Sequence, residues 1–261
     1  MSADIELWQA AVSLILIVVV LGVSFWRGLG LERSIVWATL RATVQLLAVG
    51  VFFAAIFESS LADLWSWLWV LVMVSVSAYV VTRRARSVPL LAPIAFAAIG
   101  VTCAVVLAVL FGGQVFDLDP VVVVVIAGIT IGNTMPAVVQ AVDRCRSKLI
   151  EDSGQIEAML ALGFDAVAST RPLARDVTRL ALVPQIEKTR VVGLIALPGA
   201  VTGLLLAGAD PLDAVLVQLV VMFLVLGSMA VAVTVVTLGI TRQALTDDLR
   251  LADWVHDAAR A

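Results

Sequence analysis

The sequence predicts an all-α, polytopic integral membrane protein with about seven transmembrane helices. Two features of the composition carry this prediction: 62% of the 261 residues are hydrophobic, and only 14% are charged. This number of charged side chains is too small to cover the surface of a soluble protein of this length. Lipid must therefore cover much of the protein surface. A third feature, the distribution of basic residues between the apolar runs, predicts the topology.

Seven apolar stretches are long enough to cross a bilayer, which takes about 20 residues of helix. They lie at 5–26, 34–57, 64–82, 90–111, 120–142, 190–208 and 212–239. The sixth stretch is short and the fifth continues into polar sequence, so six spans is an alternative. We expect one transmembrane domain over residues 1–261.

The basic residues are confined to alternate connections between these stretches. Every Lys and Arg except Arg41 follows this rule. Because basic residues accumulate on the cytoplasmic side, the pattern predicts an N-terminus outside, a cytoplasmic C-terminus and a cytoplasmic loop at 143–189.

Two of the opposite connections, "DLDP" and "GADP", place an Asp directly before a Pro at a helix start. Asp can cap the free N–H groups there, and Pro suits the first helical turn. A vestibule that attracts cations is the alternative interpretation of these external acidic residues.

Arg41 and Gln45 are polar residues within the second apolar stretch. They are four residues apart, so they share one helix face. A buried Arg is costly in lipid and normally faces a partner or a wet cavity, which predicts a stripe facing substrate or a gate. In the alternative, Arg41 extends to the cytoplasmic boundary and binds carbonyls of a neighbouring helix.

The fifth stretch contains "GITIGNTMP", in which small and polar residues precede a proline. Pro136 removes a backbone hydrogen bond, which predicts a hinge near Gly132. Asn133 and Thr134 lie at this hinge and, with Arg41 and Gln45, are candidates to line a substrate path. Close packing, with Asn133 and Thr134 bonded to neighbouring helices, is the alternative.

The segment "GQIEAMLALGFDAV" (154–167) has a helical apolar face within the long cytoplasmic loop. Its members recur at i, i+3, i+4, i+7 and i+8 and are Ile156, Met159, Leu160, Gly163 and Phe164. This pattern predicts an amphipathic helix over about 153–170. A helix that lies on anionic lipid usually carries Lys or Arg, and this segment has neither. A groove in a partner protein is therefore the better acceptor. A helix resting on the membrane surface is the alternative.

Within that segment, "EAMLALG" (157–163) resembles the E-A-A-x-x-x-G start of the coupling segment in ABC transporter permeases. With "RATVQLLAVG" (41–50), "IGNTMPAVVQAVDR" (131–144) and residues 194–223, it makes nearly the whole chain similar to the Fet-type iron-export ABC permeases, a family related to plant aluminium-tolerance permeases. The resemblance implies a homodimer of multi-pass permease chains in the inner (plasma) membrane. Each chain is served by a separate ATPase subunit, and together they export iron or another metal species.

The resemblance also implies a role for the predicted helix, which would dock in a groove of the ATPase. Glu157 would orient the helix there, and Gly163 would permit close backbone approach. The residues predicted to couple to the ATPase are Ile156, Glu157, Met159, Leu160, Gly163 and Phe164.

The chain has no G-x-x-x-x-G-K-[ST] phosphate-binding loop, so ATP and Mg²⁺ are expected on the separate ATPase. We therefore expect no catalytic residue and no cofactor in this chain, and no nucleic-acid partner. No Cys or His pair has metal-ligand spacing, so any metal ligands stay unassigned, and the polar path suits an anionic or chelated species at least as well as a bare cation. The alternative function is an ion-gradient-driven secondary transporter of a small polar or anionic solute. It would need an acidic residue within a span, and none is found between the capped ends.

Overall fold

The computed structural model describes residue 12 and residues 14–57, 59–84, 88–193, 197–246 and 248–255. Within these residues the chain forms α-helices and one isolated antiparallel bridge, between Leu245 and Leu251. The helices are α1 Leu14–Arg27, α2 Glu32–Phe57, α3 Ala62–Arg84, α4 Leu91–Gly112, α5 Pro120–Glu151, α6 Ser153–Ala161, α7 Ala166–Arg190, α8 Gly199–Leu206 and α9 Pro211–Gln243.

Five of the described helices, α2, α3, α4, α5 and α9, are long and apolar enough to cross a membrane. This confirms the prediction of an all-helical, multi-pass membrane protein. The first predicted span corresponds to α1, a largely apolar helix of 14 residues, and residues 1–11 and 13 lie outside the described part of the chain. The number of spans and their orientation stay predictions.

Helix α9 is the centre of the bundle, packed against α4, α5, α7 and α8. Helix α3 closes one side by packing on α4 and α5. Helices α1 and α2 lie at the edge, because α1 packs mainly on α2 and α2 packs on α1 and α3. Most side chains of α2 are therefore exposed in the single chain.

A fully buried seam of the core lies between α5 and α9. The residues at this seam that have no exposed surface are small or β-branched: Val138, Ala141, Val142 and Cys145 of α5, and Ala232, Val233, Val236 and Ile240 of α9. Side chains of this size let two helices approach closely, which is the main source of helix association in a membrane.

The Asp-Pro pairs act as helix caps. Asp119 Oδ1 accepts a hydrogen bond of 2.8 Å from the Val121 N–H, and Asp210 Oδ1 accepts one of 2.9 Å from the Leu212 N–H. In both helices the Pro occupies the first turn, where its missing N–H costs nothing. Local capping therefore accounts for these two Asp residues.

The sixth predicted span, 190–208, is not one continuous helix in the structure. Helix α7 ends at Arg190, and the next described helix, α8, covers only Gly199–Leu206. Gly193 has a φ of +87°, a left-handed conformation that ends a helix, and Pro198 disfavours helical backbone at the residue before it. At eight residues, α8 is about 12 Å long, less than half the hydrocarbon core.

The predicted loop at 143–189 is almost entirely helical. Helix α5 continues without a break to Glu151, so its 32 residues extend about 48 Å, well beyond the bilayer core of roughly 30 Å. Helix α7 then returns along α5 and α9, burying Leu173, Val177 and Ala181. Most of the predicted loop is thus folded as helices that pack against the bundle.

Gly239 of α9 packs closely against Ile94 of α4. A Cβ atom there would be 2.6 Å from Ile94 Cγ2 and 3.4 Å from Ile94 Cγ1, and a β-branched side chain has little rotameric freedom to move aside. We expect Gly239→Ala to lower the free energy of unfolding by about 1–3 kcal/mol. The measurement is the thermal unfolding midpoint of the protein in detergent.

The matched control is Gly227→Ala in the same helix, where no atom outside the local backbone of α9 lies within 4 Å of the added Cβ among the described residues. This variant should be as stable as the wild type or slightly more stable, because Ala is a better helix former than Gly. Equal midpoints for the two variants would contradict the close contact between α4 and α9.

Candidate coupling and substrate site

The predicted coupling helix is two helices with a sharp turn between them. Helix α6 ends at Ala161, and α7 starts at Ala166 after a cap in which Asp165 Oδ1 accepts a 2.6 Å hydrogen bond from the Ala168 N–H. The prediction of one helix over 153–170 is therefore corrected to α6, a turn at 162–165 and the start of α7.

Gly163 makes this turn. Its φ is +87°, its N–H donates to the Leu160 carbonyl at 3.0 Å, and the Phe164 N–H donates to the Met159 carbonyl at 3.1 Å. These are the two hydrogen bonds of a Schellman motif, in which a left-handed residue, usually Gly, ends the helix. Apart from the residues next to it, no atom of the described residues lies within 4 Å of a Cβ built on Gly163, so its requirement here is conformational.

Ile156 faces inward and anchors α6. It is 2% exposed and belongs to the same buried cluster as Leu149 of α5 and Leu173 of α7. Leu160 packs against this cluster from the same helix, and Met159 is half-buried. Glu157 lies on the exposed side of α6. The predicted apolar face is thus mostly used to fix α6 to α5 and α7.

The outward apolar surface lies in the turn and in the first residues of α7. Leu162 is 77% exposed, Phe164 48% and Val167 64%. We call these three residues the apolar turn. Of them only Phe164 was predicted from the sequence. The signal that would have found the other two is Gly163, which ends the helical repeat, so the residues on either side of it no longer follow the apolar face of α6.

The polar residues of α5 near Pro136 bond to their own helix. Asn133 Nδ2 donates to the Ile129 carbonyl at 2.7 Å, and Thr134 Oγ1 donates to the Thr130 carbonyl at 2.8 Å. Thr134 is buried and Asn133 is half-buried. Helix α5 runs continuously through Gly132 and Pro136, which cannot donate the usual bond to the Gly132 carbonyl.

Arg41 and Gln45 lie on α2 and are exposed. Among the described helices α2 packs on α1 and α3, and the structure of the single chain does not bring these residues together with Asn133 and Thr134. The predicted four-residue path is therefore not assembled within this chain.

A different polar cavity lies between α5 and α7. It begins about one turn after Asn133, toward the C-terminal end of α5. It has a volume of about 600 Å³, and we call it the α5–α7 cavity. Its polar and charged lining consists of Gln140, Asp143, Arg144, Gln185 and Lys188, and Pro136 and Met229 contribute apolar surface. Sequence reasoning missed it, although Pro136, Gln140 and Arg144 recur every four residues and so share one face of α5.

No group of three or more His, Cys, Asp or Glu residues in the described part of the chain could hold a metal ion. The two cysteines, Cys103 in α4 and Cys145 in α5, are free and buried. The α5–α7 cavity offers one carboxylate beside an ammonium and a guanidinium, a set that suits an anionic or chelated species better than a bare cation.

Comparison with known proteins decides the family. The family described as "Uncharacterised protein family (UPF0014)" matches residues 7–245. The chain belongs to this family.

Its relatives include plant and bacterial proteins, and the similarity covers most of each chain. UPF0014 membrane protein STAR2 of Oryza sativa subsp. japonica is 36% identical over 209 residues, covering 80% of this chain and 73% of the relative. "Probable iron export permease protein FetB" of Escherichia coli (strain K12) is 33% identical over 218 residues, 84% of each chain. Protein ALUMINUM SENSITIVE 3 of Arabidopsis thaliana is 30% identical over 224 residues, covering 86% of this chain and 82% of the relative.

No solved structure matches the chain. The relatives confirm the resemblance to iron-export permeases and to their plant relatives. The UPF0014 chain described here is therefore a multi-pass membrane protein of a permease family.

Gly163→Ala tests the turn between α6 and α7. An Ala at a φ of +87° is strained, so we expect the free energy of unfolding to fall by about 1 kcal/mol, with a lower thermal midpoint in detergent. The control is Gly154→Ala in α6, where the backbone is helical and no atom outside the local backbone of α6 lies within 4 Å of the added Cβ among the described residues. This control should be neutral or stabilising; a Gly163→Ala variant that matches it would show that the turn is not left-handed.

Proposed function

We propose that this UPF0014 chain is the membrane permease subunit of an ATP-driven exporter. It works as a homodimer in the inner (plasma) membrane, and a separate ABC ATPase subunit binds and hydrolyses ATP with Mg²⁺. The cargo is iron or another metal species, supported by the name of the Escherichia coli relative. The chain itself is a transport subunit without catalytic residues.

The observation that carries the coupling is the exposed apolar turn beyond the end of α5. Leu162, Phe164 and Val167 place apolar surface in water at the tip of the extension that continues from α5. Burying a Leu, Phe or Val side chain is worth about 1.5–3 kcal/mol, so an apolar groove in the ATPase gains several kcal/mol by covering the turn. This is the mode in which a short helical element docks into a hydrophobic groove.

The packing of α6 and α7 supplies the transmission. Ile156 fixes α6 to the core, and α7 packs on α5 and α9 along its length. In this proposal, ATP-driven displacement of the apolar turn carries α7 with it and shifts α7 along α5. Since Gln185 and Lys188 of α7 face Gln140 and Arg144 of α5 across the α5–α7 cavity, the same displacement changes the shape of that cavity.

The α5–α7 cavity is the proposed cytoplasmic entry for cargo. Its lining holds two cations, Arg144 and Lys188, and one anion, Asp143. A bare metal cation finds few ligands there, whereas a negatively charged chelate can bind both cations through carboxylate oxygens. The proposed cargo is therefore a metal held in an anionic chelate.

ATPase stimulation tests the coupling. The full-length permease is reconstituted in vesicles with the candidate ATPase subunit, and the hydrolysis rate is measured. We expect Leu162→Asp and Phe164→Asp to reduce the stimulation about tenfold or more, because a charge in an apolar interface costs at least about 1.4 kcal/mol. Both side chains are exposed, so the fold is kept.

The matched control is Leu118→Asp. Leu118 is 65% exposed in the connection between α4 and α5, at the opposite end of the bundle. Stimulation should survive this change. Unchanged stimulation in all three variants would remove the coupling role of the turn. Transport that ignores ATP but stops when the ion gradient is dissipated would instead establish the secondary-transporter alternative.

Cargo selectivity tests the cavity. We expect Arg144→Gln and Lys188→Gln to raise the KM for ferric citrate severalfold in vesicle transport assays and to leave the KM for free Fe²⁺ unchanged. Arg190→Gln is the control. Arg190 lies on α7, as Lys188 does, but it forms an ion pair of 2.6 Å with Glu187 and does not line the cavity. Transport of free Fe²⁺ alone, insensitive to both variants, would contradict a chelated cargo.

A further inference from the structure

A second, larger cavity lies between α7 and the C-terminal third of α9, beside the apolar turn. Its volume is about 1330 Å³, and we call it the basic cavity. Helix α7 contributes Arg171, Arg175 and Arg179, which are four residues apart and so share one helix face. The function proposed above uses none of these arginines.

The positive charge of this cavity is largely unbalanced. All three arginines are exposed, and none of them forms an ion pair with another described residue. Asp176 also lines the cavity, so three guanidinium groups face one carboxylate there. Such an arrangement attracts an anion.

The opposite wall of the basic cavity belongs to a membrane-length helix. Helix α9 has 33 residues and is about 50 Å long, so its last turns reach past the hydrocarbon core of roughly 30 Å. Thr234 and Leu238 lie about 35–40 Å along α9 from Pro211, and both are exposed. Helix α9 therefore presents Thr234, Thr237 and Leu238 opposite the arginines of α7, at a distance along the helix that corresponds to the boundary between hydrocarbon and water.

We propose that the basic cavity binds the phosphate headgroup of an anionic phospholipid. The guanidinium groups bind the phosphate oxygens, each able to donate two parallel hydrogen bonds. The acyl chains follow the exposed apolar side of α9 past Leu238. An acidic surface of a soluble protein partner is the competing occupant, and the membrane-length wall favours the lipid.

Lipid bound here lies next to the coupling element. Met159 and Phe164 line the same cavity, so a headgroup in it contacts the end of α6 and the apolar turn. The lipid would hold α7 and the turn in place against α9.

The test titrates the detergent-solubilised full-length protein with short-chain phosphatidylglycerol and follows the thermal unfolding midpoint. Short-chain phosphatidylcholine and inorganic phosphate are titrated in parallel. We expect phosphatidylglycerol to raise the midpoint at concentrations where the other two have no effect. Each Arg→Gln change at Arg171, Arg175 or Arg179 should weaken binding about fivefold, the effect of one basic residue near an anionic membrane surface.

Two controls keep the result interpretable. Arg175→Lys keeps the charge and should retain most of the binding that Arg175→Gln loses. A triple variant with Gln at Arg33, Arg84 and Arg242 removes the same charge from other exposed positions and should bind as the wild type does.

Three results would overturn the proposal. The first is wild-type affinity for phosphatidylglycerol in the variant with Gln at all three α7 arginines. The second is inorganic phosphate acting at the same concentrations as the lipid, which would indicate a soluble anion. The third is loss of ATPase-subunit binding in that variant with lipid affinity unchanged, which would make the cavity a protein interface.

Discussion

The close packing of α5 against α9 is the constraint on which the rest of the structure depends. Fully buried Ala, Val, Cys and Ile side chains line this seam from Val138 to Cys145 on α5 and from Ala232 to Ile240 on α9. In a bilayer, where lipid is as apolar as the side chains, close contact between small residues holds helices together. Because both helices are longer than the hydrocarbon core is thick, we expect this seam to continue beyond it. Helices α6 and α7 are built on this pair of helices.

Composition and periodicity were enough to predict the long helices and their caps. Apolar runs predicted the helices, and Asp before Pro predicted the caps at Asp119 and Asp210. The prediction of one helix over 153–170 was wrong, because the backbone turns at Gly163. Side-chain spacing carries no information about the left-handed φ of that residue. The apolar run at 190–208 likewise predicted one continuous helix, whereas Gly193 and Pro198 interrupt the helix there. In both places a glycine with positive φ overrides the hydrophobic pattern.

The candidate site was predicted less well than the fold, for a physical reason. A helical face shows which residues share a side, but the packing of the helix decides which side turns inward. Ile156 belongs to the predicted apolar face of α6, and its side chain is buried where it anchors the helix. Leu162 and Val167, which were not predicted, are exposed. Arg41 and Gln45 lie on a helix with few contacts inside the chain, so what they face depends on neighbours beyond it. The α5–α7 cavity is formed by residues of separate helices, so it could not be predicted before the packing of those helices was known.

Coupling through the apolar turn is the central claim, and cross-linking tests it most directly. Leu162→Cys and, as the control, Leu118→Cys are each introduced into the full-length chain, whose own cysteines are buried. A short bifunctional thiol reagent is then applied to the complex with the ATPase subunit. We predict a permease–ATPase cross-link at position 162, with a yield that changes on adding ATP, and none at position 118. A complex that retains ATPase stimulation yet gives no cross-link at position 162 would contradict the account.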